Sequence, residues 1–205
     1  MNAVAKKGHK PSPLFAVIKG IIEESKADMA HAKNTRKTAL VLFNSLVSIH
    51  KLGSRERLLL EISALLHDIG WARTTNGAHH KHSRDMILQA KLPKITGKER
   101  RICALIARYH NKAEPDAAKH RQFAALKSSK RYIVLWGAAI LRVADGLDCN
   151  HNGKVHVSGC HIGKTELTIL IDSQGDCPGE IRRAKRKGGL LSRIAGREMT
   201  FLKDS

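Results

Sequence analysis

From Leu14 to about Leu147 the apolar residues recur every three or four positions, and the pattern is broken only at Gly53, Gly70, Gly77, Pro93, Gly97 and Pro115. That spacing stacks the apolar side chains on one side of an α-helix, so this part of the chain has to bury helix against helix. It predicts helices near 14–26, 28–50, 55–69, 79–91, 97–111 and 130–148, with Ser54 as the N-cap of the third. After Asn150 the period changes to two. "KVHVSG" and "ELTILID" alternate Val155, Val157 and Leu167, Ile169, Ile171 with polar residues around a turn at "HIGK", which predicts a hairpin. A basic helical stretch at about 179–194 and a last strand around "EMTFL" complete a small ββαβ appendage. The expected fold is mainly α, divided into an N-terminal extension and helix (1–27), a helical domain (28–150) and a small α+β appendage (151–205).

A chain of 205 residues with 42% hydrophobic side chains can build a real core without covalent staples. Cys103, Cys149, Cys160 and Cys177 show no CxxC or zinc-finger spacing and read as reduced thiols. The start "MNAVAKKGHKPSP" is short, basic and broken by proline, and no apolar run reaches membrane-spanning length. These features lead us to expect a cytoplasmic protein with no membrane partner. With 37 Lys and Arg against 18 Asp and Glu, the net charge of +19 gathers anions. Phosphate-rich small molecules, polyphosphate and nucleic acid all satisfy that charge, and it leaves a homo-oligomer open. The "RRAKRK" run has no interleaved aromatics, and an aromatic content of 4% argues against a base-stacking single-strand binder.

The stretch "ISALLHDIGW" sets His67 and Asp68 side by side where an apolar helix runs out against Gly70. Asp145 in "AAILRVADGLD" also lies near the end of an apolar helix, where a carboxylate is costly to desolvate unless a cation meets it; Arg142, one turn earlier, is the nearest in sequence. His31 starts the second helix. Two imidazoles and two carboxylates make a mixed nitrogen and oxygen ligand set suited to a divalent Mn, Fe, Ni, Co, Zn or Mg ion rather than to a thiolate metal.

The pattern of a histidine, then His-Asp, then a distant Asp resembles the HD superfamily of metal-dependent phosphohydrolases. The resemblance implies an HD-type helical bundle with His31, His67, Asp68 and Asp145 as metal ligands. The stretches "GAHHKHSRDMI", "IARYHNKAEP", "FAAL", "ILRVADGLDCNHNGKV" and "LLSRIAGREMTF" are similar to the C-terminal HD region of the exopolyphosphatase and guanosine pentaphosphate phosphatase family, over about residues 28–202. In that family the catalytic machinery is an actin-like pair of domains upstream. These 205 residues leave no room for such a pair, so the exopolyphosphatase activity itself does not carry over.

The run His79, His80, Lys81, His82 and the later His110 point to a second metal or phosphate site, since HD enzymes with two metals draw on histidines of intermediate helices. We assign His80, His82 and His110 to it, although spacing alone does not separate His79, His80 and His82, and a solvated polar cluster is the bland alternative. Lys81 and Arg108 are the expected phosphate-binding cations. The leading expectation is a metal-dependent phosphohydrolase acting on a nucleotide, guanosine tetra- or pentaphosphate or polyphosphate, with Asp68 as the catalytic ligand that orients or deprotonates water. The rival is a non-catalytic module that binds polyphosphate or RNA. A sequence-specific DNA binder has the charge but no recognition motif.

Overall fold

The structure, a computed structural model, describes residues 12–173 and 175–203. The basic start read from residues 1–11 lies outside the described residues. The apolar stripes form α1 (Pro13–Glu24), α2 (Met29–Ser45), α3 (Val47–His50), α4 (Ser54–Leu66), α5 (His79–Gln89), α6 (Gly97–Arg108), α7 (Arg121–Ala124) and α8 (Ser128–Leu147), with a 3-10 turn at Ile69–Arg73. Then come β1 (Val155–Ile162), β2 (Glu166–Ser173), α9 (Pro178–Lys187), α10 (Gly189–Ala195) and β3 (Glu198–Lys203).

Helix starts follow local chemistry. Asp28 caps α2 by accepting from the N–H groups of Ala30 and His31 at 2.9 and 3.0 Å. Thr96 and Glu99 form a reciprocal capping box on α6. Ser54, expected as a cap, is instead the first residue of α4. The cap position belongs to Gly53, which has no side chain to accept from the first turn; its own N–H donates to Glu56 at 3.0 Å, the backward half of a capping box. The helix expected over 28–50 is two segments, because the chain turns at the fully buried Leu46. The basic stretch expected as one helix likewise breaks between α9 and α10, making the appendage ββααβ.

The strands lie in the order β1-β2-β3, with β1 and β2 antiparallel and β2 and β3 parallel. Leu167, Ile169 and Ile171 on β2 all point inward, as the period of two requires. One cluster of buried apolar residues runs from α1 through α4, α6 and α8 into Val155, Val157 and β2. Each fully buried Leu or Ile in it contributes roughly 1.5–3 kcal/mol. Ser63 sits inside that cluster with its hydroxyl donating to the Leu59 carbonyl at 2.6 Å, so its polarity is satisfied. The four cysteines are free. Among the described residues no helix is long and apolar enough to cross a membrane.

Two glycines set how close the helices come to the site. A Cβ at Gly70 would overlap the His79 carbonyl and the Ser83 nitrogen, so only glycine lets α5 rest directly on the 3-10 turn; the Gly70 N–H donates there to Ser83 Oγ at 2.9 Å. At Gly146 a Cβ would lie 2.7 Å from Ala184 Cα, so α8 and α9 touch backbone to backbone. The first contact brings His79 beside Asp68. The second hangs α9 over the end of α8.

Candidate metal centre

His31 is the third residue of α2, His67 the C-cap of α4, Asp68 the residue after it, and Asp145 lies in the last turn of α8. Helix ends are where polar side chains can converge without breaking an apolar stripe, and these four do. His31 Nε2 lies 3.2 Å from His67 Nε2, 3.4 Å from Asp145 Oδ1 and 3.8 Å from Asp68 Oδ2. His67 Nε2 lies 3.6 Å from Asp68 Oδ2 and 3.8 Å from Asp145 Oδ1. Donors each about 2.1 Å from a common centre sit about 3.0–3.4 Å apart, so the residues present fit a first-row divalent ion.

The other oxygen of Asp68 faces a second group. Oδ1 lies 3.3 Å from His79 Nε2 and 3.4 Å from His110 Nε2, and those two nitrogens are 3.2 Å apart. Oδ1 is buried with no hydrogen-bond partner among the described residues. A buried carboxylate oxygen without a donor is costly, and two ring nitrogens converging with it make a gap of the kind that suits a cation.

The far side of each ring decides which nitrogen is bare. His31 Nδ1 donates to Asp148 Oδ2 at 2.8 Å, His67 Nδ1 to the Ala64 carbonyl at 2.8 Å and His110 Nδ1 to the Ala107 carbonyl at 2.6 Å. A ring that donates from Nδ1 turns an unprotonated Nε2 inward, the arrangement of an outer carboxylate or carbonyl that orients a metal-binding imidazole. Stacking adds to this: His151 lies flat on His31 at 3.8 Å with its Nδ1 on Asp28, and Trp71 lies on His79 at 4.1 Å.

Protonation agrees with the geometry. Burial pushes His67 down to about 3 against the pull of Asp68. Burial and the neighbouring His110 push His79 down to about 4, and burial lowers His110. Burial opposes ionisation of Asp68, but the rings of His67, His110 and His79 around it outweigh that, and its carboxyl sits well below the usual range. Neutral rings around an ionised carboxylate are the state a cation needs.

The histidine opposite His110 is thus His79, not His80 or His82 as expected from the sequence. One residue turns a helix by about 100°. His80 therefore leaves His79's direction, with its ring edge-on to His79 at 5.4 Å and its Nδ1 unpartnered, and half-buried His82 makes neither of the close approaches to Asp68 and His110 that His79 makes. The expected phosphate-binding cations are displaced for the same reason. Lys81, two positions past His79, is exposed, and Arg108 is buried with its guanidinium 5.5 Å from the Tyr109 ring. Neither lines the pocket over the donor cluster.

That pocket, about 130 Å³, is lined by Asp68, His79, His110 and Asp145 together with Arg183 and Lys187 of α9. Lys187 forms an ion pair with Asp145 Oδ2, leaving Oδ1 to face His31 and His67. Burial, with Arg142 adding to it, pushes the Lys187 ammonium down to about 7. Arg142, the nearest cation to Asp145 in sequence, does not pair with it. Its Nε donates to the Lys187 carbonyl at 2.9 Å and its Nη1 to the Tyr109 carbonyl at 3.0 Å, which ties the end of α9 to the end of α6. Asp148, Arg183 and Lys187 were missed from the sequence. The "D-x-x-D" spacing of Asp145 and Asp148 was the one available signal, since three residues separate neighbours on a helical face.

The comparison with protein families matches residues 16–173 to Ppx/GppA phosphatase, domain III. The chain belongs to this family. No curated protein matches it. The match to domain III covers His31, His67, Asp68, His79, His110, Asp145 and Asp148, whereas Arg183 and Lys187 lie beyond the matched residues.

Proposed function

We propose that this domain III chain is a metal-dependent phosphohydrolase with two adjacent cation sites, one made by His31, His67, Asp68 and Asp145 and the other by Asp68, His79 and His110. The observation that carries this reading is Asp68, whose Oδ2 faces the first group and whose buried, partnerless Oδ1 faces the second. The ligand set is the one the HD resemblance implies, extended by His79. A divalent metal bound there supplies Lewis acidity and a water of lowered pKa.

The chain's own residues supply the rest. His31, His67 and His110 arrive with the inward nitrogen bare, so little reorganisation precedes binding. Asp68 spans both groups and orients the attacking water between them. Arg183 lines the pocket over the donor cluster and neutralises phosphoryl oxygens as charge develops on them, and Lys187, ion-paired with Asp145, adds positive charge to the same pocket. A phosphate-rich anion is the substrate class that suits these cations, the +19 charge and the phosphatase family to which the chain belongs.

The test is phosphate release from a panel of nucleoside polyphosphates, inorganic polyphosphate and bis(p-nitrophenyl) phosphate, with Mn, Ni, Co or Mg added and with EDTA. Turnover that needs the metal and vanishes in Asp68→Ala is the expected result. Salt-sensitive polyphosphate or RNA binding that ignores EDTA, with no turnover under any metal, decides for a non-catalytic polyanion-binding module instead.

A further inference from the structure

Two buried polar side chains of α5 and α6 take no part in the metal centre, His80 and Arg108. His80 is 1% and Arg108 9% exposed, and His80 Nδ1 and Arg108 Nη1 are both buried with no hydrogen-bond partner among the described residues. A guanidinium taken out of water without a carboxylate on it is costly. The two lie side by side, for the Arg108 charge adds to burial in pushing His80 down to about 3.

Helix spacing places them at one end of a groove. His80, Arg84 and Leu88 are four apart on α5, and Ala104, Leu105 and Arg108 share one side of α6, which packs against α5. Arg84, Leu88, Ala104 and Leu105, with Arg121 of α7, line a groove of about 240 Å³ that shares no lining residue with the pocket over the metal donors. His80 is one turn beyond Arg84, and Arg108 one turn beyond Leu105. The segment leading into α7 covers the same end, since the Arg108 charge also lowers His120 after burial has done so, and His120 lies 5.2 Å from the Tyr109 ring.

Charge selects what fits there. Arg84 already holds a carboxylate, donating to Asp85 at 2.8 and 3.0 Å, and His80 is neutral. The buried end therefore carries one uncompensated positive charge, that of Arg108. One carboxylate balances it, whereas a phosphate dianion brings a second negative charge where burial makes it costly. Arg101 and Arg121 stand at the exposed rim, where water screens them and they steer an anion inward. Leu88, Ala104 and Leu105 offer the rest of the ligand an apolar wall.

We propose that the groove between α5, α6 and α7 binds a small apolar monocarboxylate, with its carboxylate taken by His80 Nδ1 and Arg108 Nη1 and its hydrocarbon laid on Leu88, Ala104 and Leu105. A neutral imidazole donates from Nδ1, and a guanidinium adds a charge-assisted bond. Entry is past Arg84, a long side chain at that end of the lining. The site stands whether or not the metal centre is catalytic.

Calorimetry of the metal-free full chain in EDTA tests this, with sodium hexanoate, sodium acetate, hexanol and inorganic phosphate as probes. The variants are Arg108→Met and Ala125→Trp; Ala125 is an exposed residue of the lining, so its enlargement fills the groove without displacing a core residue. Hexanoate binds wild type saturably and at least about tenfold more tightly than acetate, which lacks the apolar body, or hexanol, which lacks the charge. Each variant weakens hexanoate about tenfold or more. No saturable hexanoate binding to wild type, or undiminished binding in Ala125→Trp, overturns the site, and undiminished binding in a folded Arg108→Met overturns the role of Arg108. Phosphate that binds more tightly than hexanoate, and is lost in the same variants, overturns the choice of a monocarboxylate. Should Arg108→Met fail to fold, Ala125→Trp alone decides.

Discussion

Asp148 touches no cation site directly, yet its replacement by asparagine tests how the centre is built. Its Oδ2 accepts from His31 Nδ1 at 2.8 Å and from Asn34 at 3.5 Å, and its Oδ1 accepts from the Gly153 N–H at 2.8 Å. An asparagine has one oxygen for these donors and an NH2 that accepts from neither. Either His31 loses the acceptor that keeps its inward nitrogen bare, or Gly153 loses its own. Outer partners of metal-binding histidines are typically worth 10–100-fold in metal affinity, which is about 1.4–2.7 kcal/mol. Isothermal titration of Mn into Asp148→Asn at pH 7 should therefore show an affinity for the His31 site weakened by about 10–100-fold, in a protein whose circular dichroism matches wild type. An unchanged affinity would refute the claim that Asp148 sets the His31 tautomer.

Gly146→Ala places a methyl against the α9 backbone and should lower stability by about 1–3 kcal/mol, with a disproportionate loss of turnover because Arg183 and Lys187 move; a thermal melt and activity assay equal to wild type would count against that contact. His79→Ala should remove the second cation site while leaving the first, whereas His82→Ala leaves both, read as metal per chain; the opposite pairing would restore the sequence-based assignment. Burial lowers His50 and takes His80 down to about 3, so below pH 6.5 the unfolded chain binds more protons than the folded one. The metal-free protein should lose stability as pH falls from 6.5 toward 4, by at most about 1.4 kcal/mol per pH unit for each ring. Urea denaturation series at pH 7.5 and 5 check this, and a midpoint that holds or rises at pH 5 contradicts it.

The helical body was legible because apolar periodicity reports directly which face must be buried, and the switch to period two after Asn150 marked the sheet. His31, His67, Asp68 and Asp145 were named from residue type and order, and the structure brings all four within reach of one another. Which of three neighbouring histidines faces His110 depends on where α5 starts and how it lies on Gly70, and neither is written in the spacing of "HHKH". Lys187 and Arg183 were beyond reach for a different reason. They belong to α9, some 40 residues after Asp145 in a run that reads as plain surface charge, and only the Gly146 to Ala184 contact turns one side of that helix onto the pocket. Arg108 and Lys81 show the converse: each is two positions in sequence from a histidine that lines the pocket or its donor cluster, and neither lines the pocket itself.

The most direct test of the whole account is metal stoichiometry, by Mn titration with elemental analysis of the saturated protein, in wild type and in Asp68→Ala. Asp68 serves both donor groups, so the account predicts two ions per wild-type chain and loss of tight binding at both sites in the variant. Wild type that takes up no metal, or a variant that binds as much and as tightly as wild type, would contradict it.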